Sequence, residues 1–168
     1  MTTEKDLKYD DLVSPTMTPD EYFKTYGEKS ENNYKSYEPK SKTLEKIKES
    51  LKRKNQKLKI VALGADWCPD CSRNVPRMIK ITENLETDDI DLKILYGIMV
   101  NAMRKPDEVI WHKTRSPPEA INPKFALKAI PTFYFFDRKN ELLGVIIEGP
   151  QPSSTLEEEL LEILEKKS

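Results

Sequence analysis

The stretch that decides the fold runs from Lys57 to Pro76 and reads KLKIVALGADWCPDCSRNVP. Leu58 to Leu63 is a short run, mostly apolar and β-branched at its centre, that stops at Gly64. Its length and the breaker at its end predict a buried strand rather than a helix. Trp67 and the group Cys68-Pro69-Asp70-Cys71 follow, and from Cys71 onward Val75, Met78, Ile79, Thr82 and Leu85 recur at helical spacing. A strand therefore enters a tight turn, and the turn opens a helix that carries both cysteines in its first turn. Pro76 predicts a kink further along that helix.

That placement has chemical consequences. The first amides of a helix lack internal partners, point their N–H groups outward and sit at the positive end of the helix dipole. A sulfur held there is favoured as thiolate, the nucleophilic form. Two intervening residues let the second sulfur reach the first without unwinding the helix. Cys68 is thus placed to attack a disulfide and Cys71 to resolve the mixed disulfide. Lying between Trp67 and Pro69 at a turn, Cys68 is expected to be exposed, with Cys71 less so. Pro69 sits where its missing N–H costs nothing. The Asp70 carboxylate disfavours a neighbouring thiolate and predicts a less oxidising disulfide than Asn would give there. Zinc, the other use of C-x-x-C, needs four ligands, and His112 is the only further soft donor in the chain. No intrachain metal site is expected.

These motifs resemble the thioredoxin family. Trp67-Cys68-Pro69-Asp70-Cys71 follows a strand and precedes Pro76. Ala129-Ile130-Pro131-Thr132 precedes the apolar run Phe133 to Phe136, and Gly149 follows the next strand. The resemblance covers roughly residues 41 to 168. It implies a thioredoxin fold, with Pro131 cis and against the cysteines and the Ile130 backbone facing the sulfurs. It further implies a substrate groove of Trp67, Ile130, Pro131, Thr132 and Gly149. Members of the family carry a buried acid six residues before the first cysteine, where it moves the proton of the resolving thiol. Ala62 stands there in this chain, so that proton must be handled otherwise, with water, Asp66 or Lys93 as candidates.

Working outward, residues 1–40 are read as an N-terminal extension and 41–168 as the thioredoxin-like domain. Thr18-Pro19-Asp20-Glu21 is a helix start, with a Thr cap, Pro at the first position and Glu three residues on. Five of the seven tyrosines lie before residue 41, which predicts short helices docked on the domain. Ser41 to Lys54 reads as a helix with Leu44, Ile47 and Leu51 on one face. Residues 40–59 carry nine basic residues against Glu45 and Glu49, with no interleaved aromatics, and read as a solvated face rather than a polyanion site. Asp91 to Tyr96 reads as a second, parallel strand. The long connection 98–121 includes an expected short helix from Asp107 to Lys113 and is placed to shape substrate choice. Asn122-Pro123 predicts another short helix, Lys124 to Lys128. Phe133–Asp137 and Glu141–Glu148 form an expected hairpin across Arg138-Lys139-Asn140. A last helix is capped by Ser154 or Thr155, with acids leading and Lys166-Lys167 closing it. The fold class is α/β: a central mixed sheet flanked by helices.

Bulk properties narrow the function. With 34% charged and 37% apolar residues and a net charge of −1, the chain has no general attraction to nucleic acid or anionic membranes. The opening MTTEKDLKYD lacks an apolar leader core, and no run approaches the roughly 18 apolar residues of a spanning helix. Both cysteines sit in one motif, so a reducing, cytoplasmic setting is expected. The function expected is thiol–disulfide exchange that reduces protein or small-molecule disulfides. It needs no bound cofactor but does need an electron-donating reductase. The alternatives are a glutathione-linked oxidoreductase and a redox-sensing binding module.

Overall fold

The computed structural model describes residues 6–166. β1 (Leu58–Leu63) forms the centre of a four-stranded sheet with β2 (Ile90–Leu95) on one side and β3 (Thr132–Phe136) then β4 (Leu142–Ile147) on the other. β1 pairs with β2 in parallel, while β1–β3 and β3–β4 are antiparallel, so the sheet is mixed. Pairing sets the faces. Ala62 lies opposite Ile94 and Phe133, whereas Val61 lies opposite Lys93 and Tyr134. Adjacent residues point to opposite sides of a strand, so these two groups occupy different faces.

Four α-helices complete the fold: α1 (Pro19–Ser36), α2 (Ser41–Arg53), α3 (Pro69–Leu85) and α4 (Leu156–Lys166). α3 packs against the other three, and Ile163 of α4 lies against Gly144, which pairs with Phe135. The helices therefore cover the face that carries Phe133 and Phe135. On the opposite face lie loop residues and a short 3₁₀ turn. The Tyr9 ring meets Phe136 at 5.6 Å, and Phe125 meets Tyr134 at 5.5 Å while its carbonyl accepts from the Tyr134 hydroxyl. Phe133, Tyr134, Phe135 and Phe136 are all buried. Each such side chain contributes about 1.5–3 kcal/mol on leaving water.

Among the described residues, the segment before residue 41 contains an 18-residue helix and a 3₁₀ turn at Tyr9–Asp11, in place of the short helices expected. α1 starts as the sequence indicates. The Thr18 hydroxyl accepts from the Glu21 amide, and the Glu21 carboxylate accepts from the Thr18 amide. The C-terminal half of α1 also repairs α3. Pro76 has no N–H, which leaves the Ser72 carbonyl without its helical donor, and Asn33 of α1 supplies one at 3.1 Å. α3 continues through Pro76 to Leu85.

Two further expected helices are absent. In place of a helix at Asp107–Lys113, residues 99–112 fold back on themselves, with Asn101 N–H bonded to the Ile110 carbonyl and His112 N–H to that of Met99. Trp111 is drawn inward, its indole N–H donating to the Leu127 carbonyl. Lys124–Lys128 is a single turn, because Ala126 adopts a left-handed conformation (φ 45°) that ends any helix there. A 3₁₀ turn at Pro118–Ala120 is the only helical element in the connection. Its buried Glu119 accepts from the Val13 and Ser14 amides and the Ser14 hydroxyl, and so holds the N-terminal strand of chain in place.

The hairpin forms about Asp137, whose carboxylate caps the Lys139 and Glu141 amides, with Asn140 at φ 68°. Thr155 caps α4, its hydroxyl accepting from the Glu158 amide. Lys167, expected at the end of that helix, lies outside the described residues. Several cations of the 40–59 stretch face α4. Lys40 pairs with Glu158 at 2.8 Å, Arg53 with Glu165 at 3.3 Å, and Lys54 donates to the Leu164 carbonyl.

Candidate functional site

Cys68 is the N-cap residue of α3. Its backbone is extended, and its sulfur accepts a hydrogen bond from the Cys71 amide at 3.2 Å. Pro69 fills the first helical position. One sulfur is thus held by the free amides of a helix start, and the second lies one turn in. Both cysteines are free thiols. On the far side of Cys68, the Ile130 carbonyl lies 3.5 Å from its sulfur. The Ile130–Pro131 peptide is cis, and the Pro131 carbonyl accepts from the Glu148 amide at 2.6 Å. That bond ties the proline segment to the loop containing Gly149. A side chain at Gly149 would meet the Asn74 amide group at 2.7 Å, and Asn74 itself donates to the Glu148 carbonyl.

Cys68 retains 5% of its accessible surface and Cys71 none. The expectation of an exposed Cys68 is therefore corrected: the Ile130 carbonyl covers the sulfur from the side opposite the helix. Trp67 is 46% exposed, and its indole N–H donates to the Ile98 carbonyl at 2.9 Å, which anchors the start of the 98–121 connection beside the cysteines. Thr132 is buried as the first residue of β3, with its hydroxyl turned back to the Ala129 carbonyl. Asp70 forms an ion pair with Arg73 at 2.6 Å, both about half exposed. Its charge is therefore partly neutralised before it reaches either sulfur.

Burial pushes the Cys71 thiol well above the ordinary range, and its hydrogen bond to Cys68 adds to that. Neither charged candidate for its proton lies where the chemistry needs one. Lys93 is on the sheet face opposite Ala62 and pairs with Asp91 at 3.4 Å. Asp66 is half-buried, its carboxylate held by Lys29 at 3.0 Å. Tyr96 packs beside Cys71 instead, its hydroxyl 3.1 Å from that of Tyr22 on α1. Burial raises the pKa of both phenols. Sequence reading missed this pair, although Tyr96 directly precedes the positive-φ Gly97 at the end of β2.

Gly64 is where these groups meet. A Cβ there would lie 2.8 Å from the Cys71 sulfur and 3.0 Å from the Tyr96 ring. Gly64→Ala should lower stability by about 1–3 kcal/mol through overpacking, and it should displace Cys71 from Cys68. Urea unfolding of the reduced protein checks this, and an unchanged midpoint would refute it.

A thioredoxin family model matches residues 16–97. The chain carries a thioredoxin-family domain. The matched span runs from the α1 cap through both cysteines to Gly97, so the helix supplying Tyr22 and Asn33 falls within the thioredoxin match. Two solved structures share the fold. A protein of unknown function from Pseudomonas aeruginosa has 20% identity and a TM-score of 0.59, covering 90% of this chain and 99% of its own. An HIV epitope scaffold has 19% identity and a TM-score of 0.67, covering 96% and 100%. No curated protein matches the chain. The thioredoxin-like domain and its adjacent cysteines support a thioredoxin-like redox role. Among the described residues no cluster of His, Cys, Asp and Glu would hold a metal ion, and no helix is long and apolar enough to cross a membrane.

Proposed function

We propose that this protein is a thiol–disulfide oxidoreductase that reduces disulfides in proteins or small molecules within a reducing, cytoplasmic compartment. The reading rests on one observation: the Cys68 sulfur caps α3 and accepts from the Cys71 amide at 3.2 Å. That hydrogen bond strengthens as charge develops on the sulfur. Cys68 thiolate attacks a substrate disulfide, forming a mixed disulfide and releasing one substrate thiolate, which takes up a proton. Cys71 then loses its proton and attacks the Cys68 sulfur. The second substrate thiol leaves, and a Cys68–Cys71 disulfide remains. Two electrons pass from the dithiol to the substrate, and an electron-donating reductase restores the dithiol. Trp67, Ile130, Pro131, Thr132 and Gly149 frame the approach, with Pro69 and Asp70 tuning the pair.

The 5% exposure of Cys68 favours a substrate that presents its disulfide on a narrow, extended segment. It also keeps alive a second reading, a redox-sensing binding module in which the dithiol rarely turns over. Reduction of insulin disulfides with dithiothreitol as electron source separates the two. Catalysis above the dithiothreitol background is expected. A flat response, with partners held stably by the protein, would favour the binding module. Turnover with glutathione as sole reductant would assign a glutathione-linked enzyme instead.

A further inference from the structure

Asp70, Arg73, Asn74 and Arg77 recur at helical spacing on α3, and the loop that follows β4 runs opposite them. Between the two lies a groove of about 460 Å³ that begins two residues beyond Cys68. Its polar side chains are mostly engaged. Arg73 is paired with Asp70, and Asn74 donates to the Glu148 carbonyl. Arg77 differs. Its guanidinium lies 5.0 Å from the ring of Tyr37, which shields one side. It makes no hydrogen bond or ion pair with any described residue, and its Nε is closed off from solvent without a partner. An unpartnered buried donor costs about 1–3 kcal/mol, more on a charged group. A guanidinium fixed by stacking is a preformed fork for a planar carboxylate.

We infer that this groove receives an acidic part of the substrate, with a carboxylate pairing with Arg77 while the neighbouring half-cystine lies at Cys68. The inference rests on the disulfide-exchange reading above and names its substrate class: an extended peptide with Asp or Glu near the cystine. Dimensions agree. Nine residues of helix separate the Cα atoms of Cys68 and Arg77 by about 13 Å, and helical side chains lean back toward the N-terminus. An extended peptide advances about 3.3 Å per residue, so the acid falls two to four residues from the half-cystine. Of the two acids that border the groove, Asp70 is already paired with Arg73, and Glu148 is solvent-exposed.

The test uses octapeptides carrying one cysteine as a mixed disulfide with 2-thiopyridine, with Glu, Gln or Lys at each position two to four residues from it on either side. Attack on the peptide sulfur releases thiopyridone and is read by absorbance with the full-length reduced protein. For at least one position, the second-order rate constant of this single turnover for Glu should exceed that for Gln by about tenfold, the worth of one charge-assisted pair, with Lys lower still. In Arg77→Gln the Glu-to-Gln ratio should fall to within twofold. Arg77→Lys, which keeps the charge but loses the fork, should retain part of it. Equal rates for Glu and Gln at every position in the unaltered protein overturn the inference, as does a Glu preference that survives Arg77→Gln. Binding of the same peptides with S-methylated cysteine, followed by fluorescence anisotropy, needs no redox step. Tighter binding of a Glu peptide without any disulfide reduction would uphold the groove and sink the reductase reading. Turnover without Glu preference would do the reverse.

Discussion

Replacing Cys71 with Ser should leave a protein that attacks disulfides once and then stays attached to them, whereas Cys68→Ser should be inactive. The asymmetry follows from the two environments. Cys68 caps α3, accepts from the Cys71 amide and keeps the residual opening to solvent. Cys71 is sealed beneath Gly64 and Tyr96, and burial holds its thiol neutral. With Cys68 lost, the remaining sulfur is neither reachable nor ionised, so turnover should drop by more than roughly 10³-fold, as when other enzymes lose their nucleophile. With Cys71 lost, attack proceeds but release does not, and the mixed disulfide accumulates on Cys68. Intact-mass measurement after incubation with a peptide disulfide reads both outcomes. A stable adduct on Cys68→Ser, or none on Cys71→Ser, would reverse the assignment.

The same contrast explains what could be read from the sequence. β1, the turn and α3 were legible because each signal is local: a short β-branched run, a breaker, a cap with proline after it and a helical apolar stripe. The hairpin and α4 were legible for the same reason, through the turn Arg138-Lys139-Asn140 and a cap at Ser154 or Thr155. The helices expected at 107–113 and 124–128 failed because seven and five residues are too few for propensity to outweigh tertiary contacts. Trp111 reaching the Leu127 carbonyl and Ala126 in a left-handed conformation decided those segments. The burial of Cys68 does not follow from local spacing, although the family resemblance already placed the Ile130 backbone toward the sulfurs. The group that covers it, the Ile130 carbonyl, lies 62 residues away in sequence. Asn33 donating to Ser72 and Tyr22 meeting Tyr96 are likewise pairings of distant residues, and no spacing rule announces them.

The reduced protein should lose stability steeply above about pH 9, beginning with the groups around Gly64. Cys71, Tyr22 and Tyr96 all have their pKa values raised by burial. In the unfolded chain a thiol ionises near pH 8.5 and a phenol near pH 10. Below those values both states keep their protons, and these groups contribute no pH dependence. Above them the unfolded state releases protons that the folded state retains, so unfolding becomes more favourable as pH rises. Each such group removes about 1.4 kcal/mol per pH unit once its unfolded form is ionised. Cys71 should therefore account for about 1–2 kcal/mol by pH 10, and Tyr22 and Tyr96, together with the raised phenols of Tyr9, Tyr34 and Tyr37, should steepen the decline beyond that. Urea midpoints from pH 7.5 to 11 under reducing conditions measure it. Tyr96→Phe removes one titrating group and the hydroxyl contact with Tyr22. It should cost about 1 kcal/mol at pH 7.5 and give a visibly shallower decline above pH 10. A reduced protein whose midpoint stays level through pH 10.5 would mean that Cys71 and Tyr96 are reached by water, and the sealed resolving thiol would have to be abandoned.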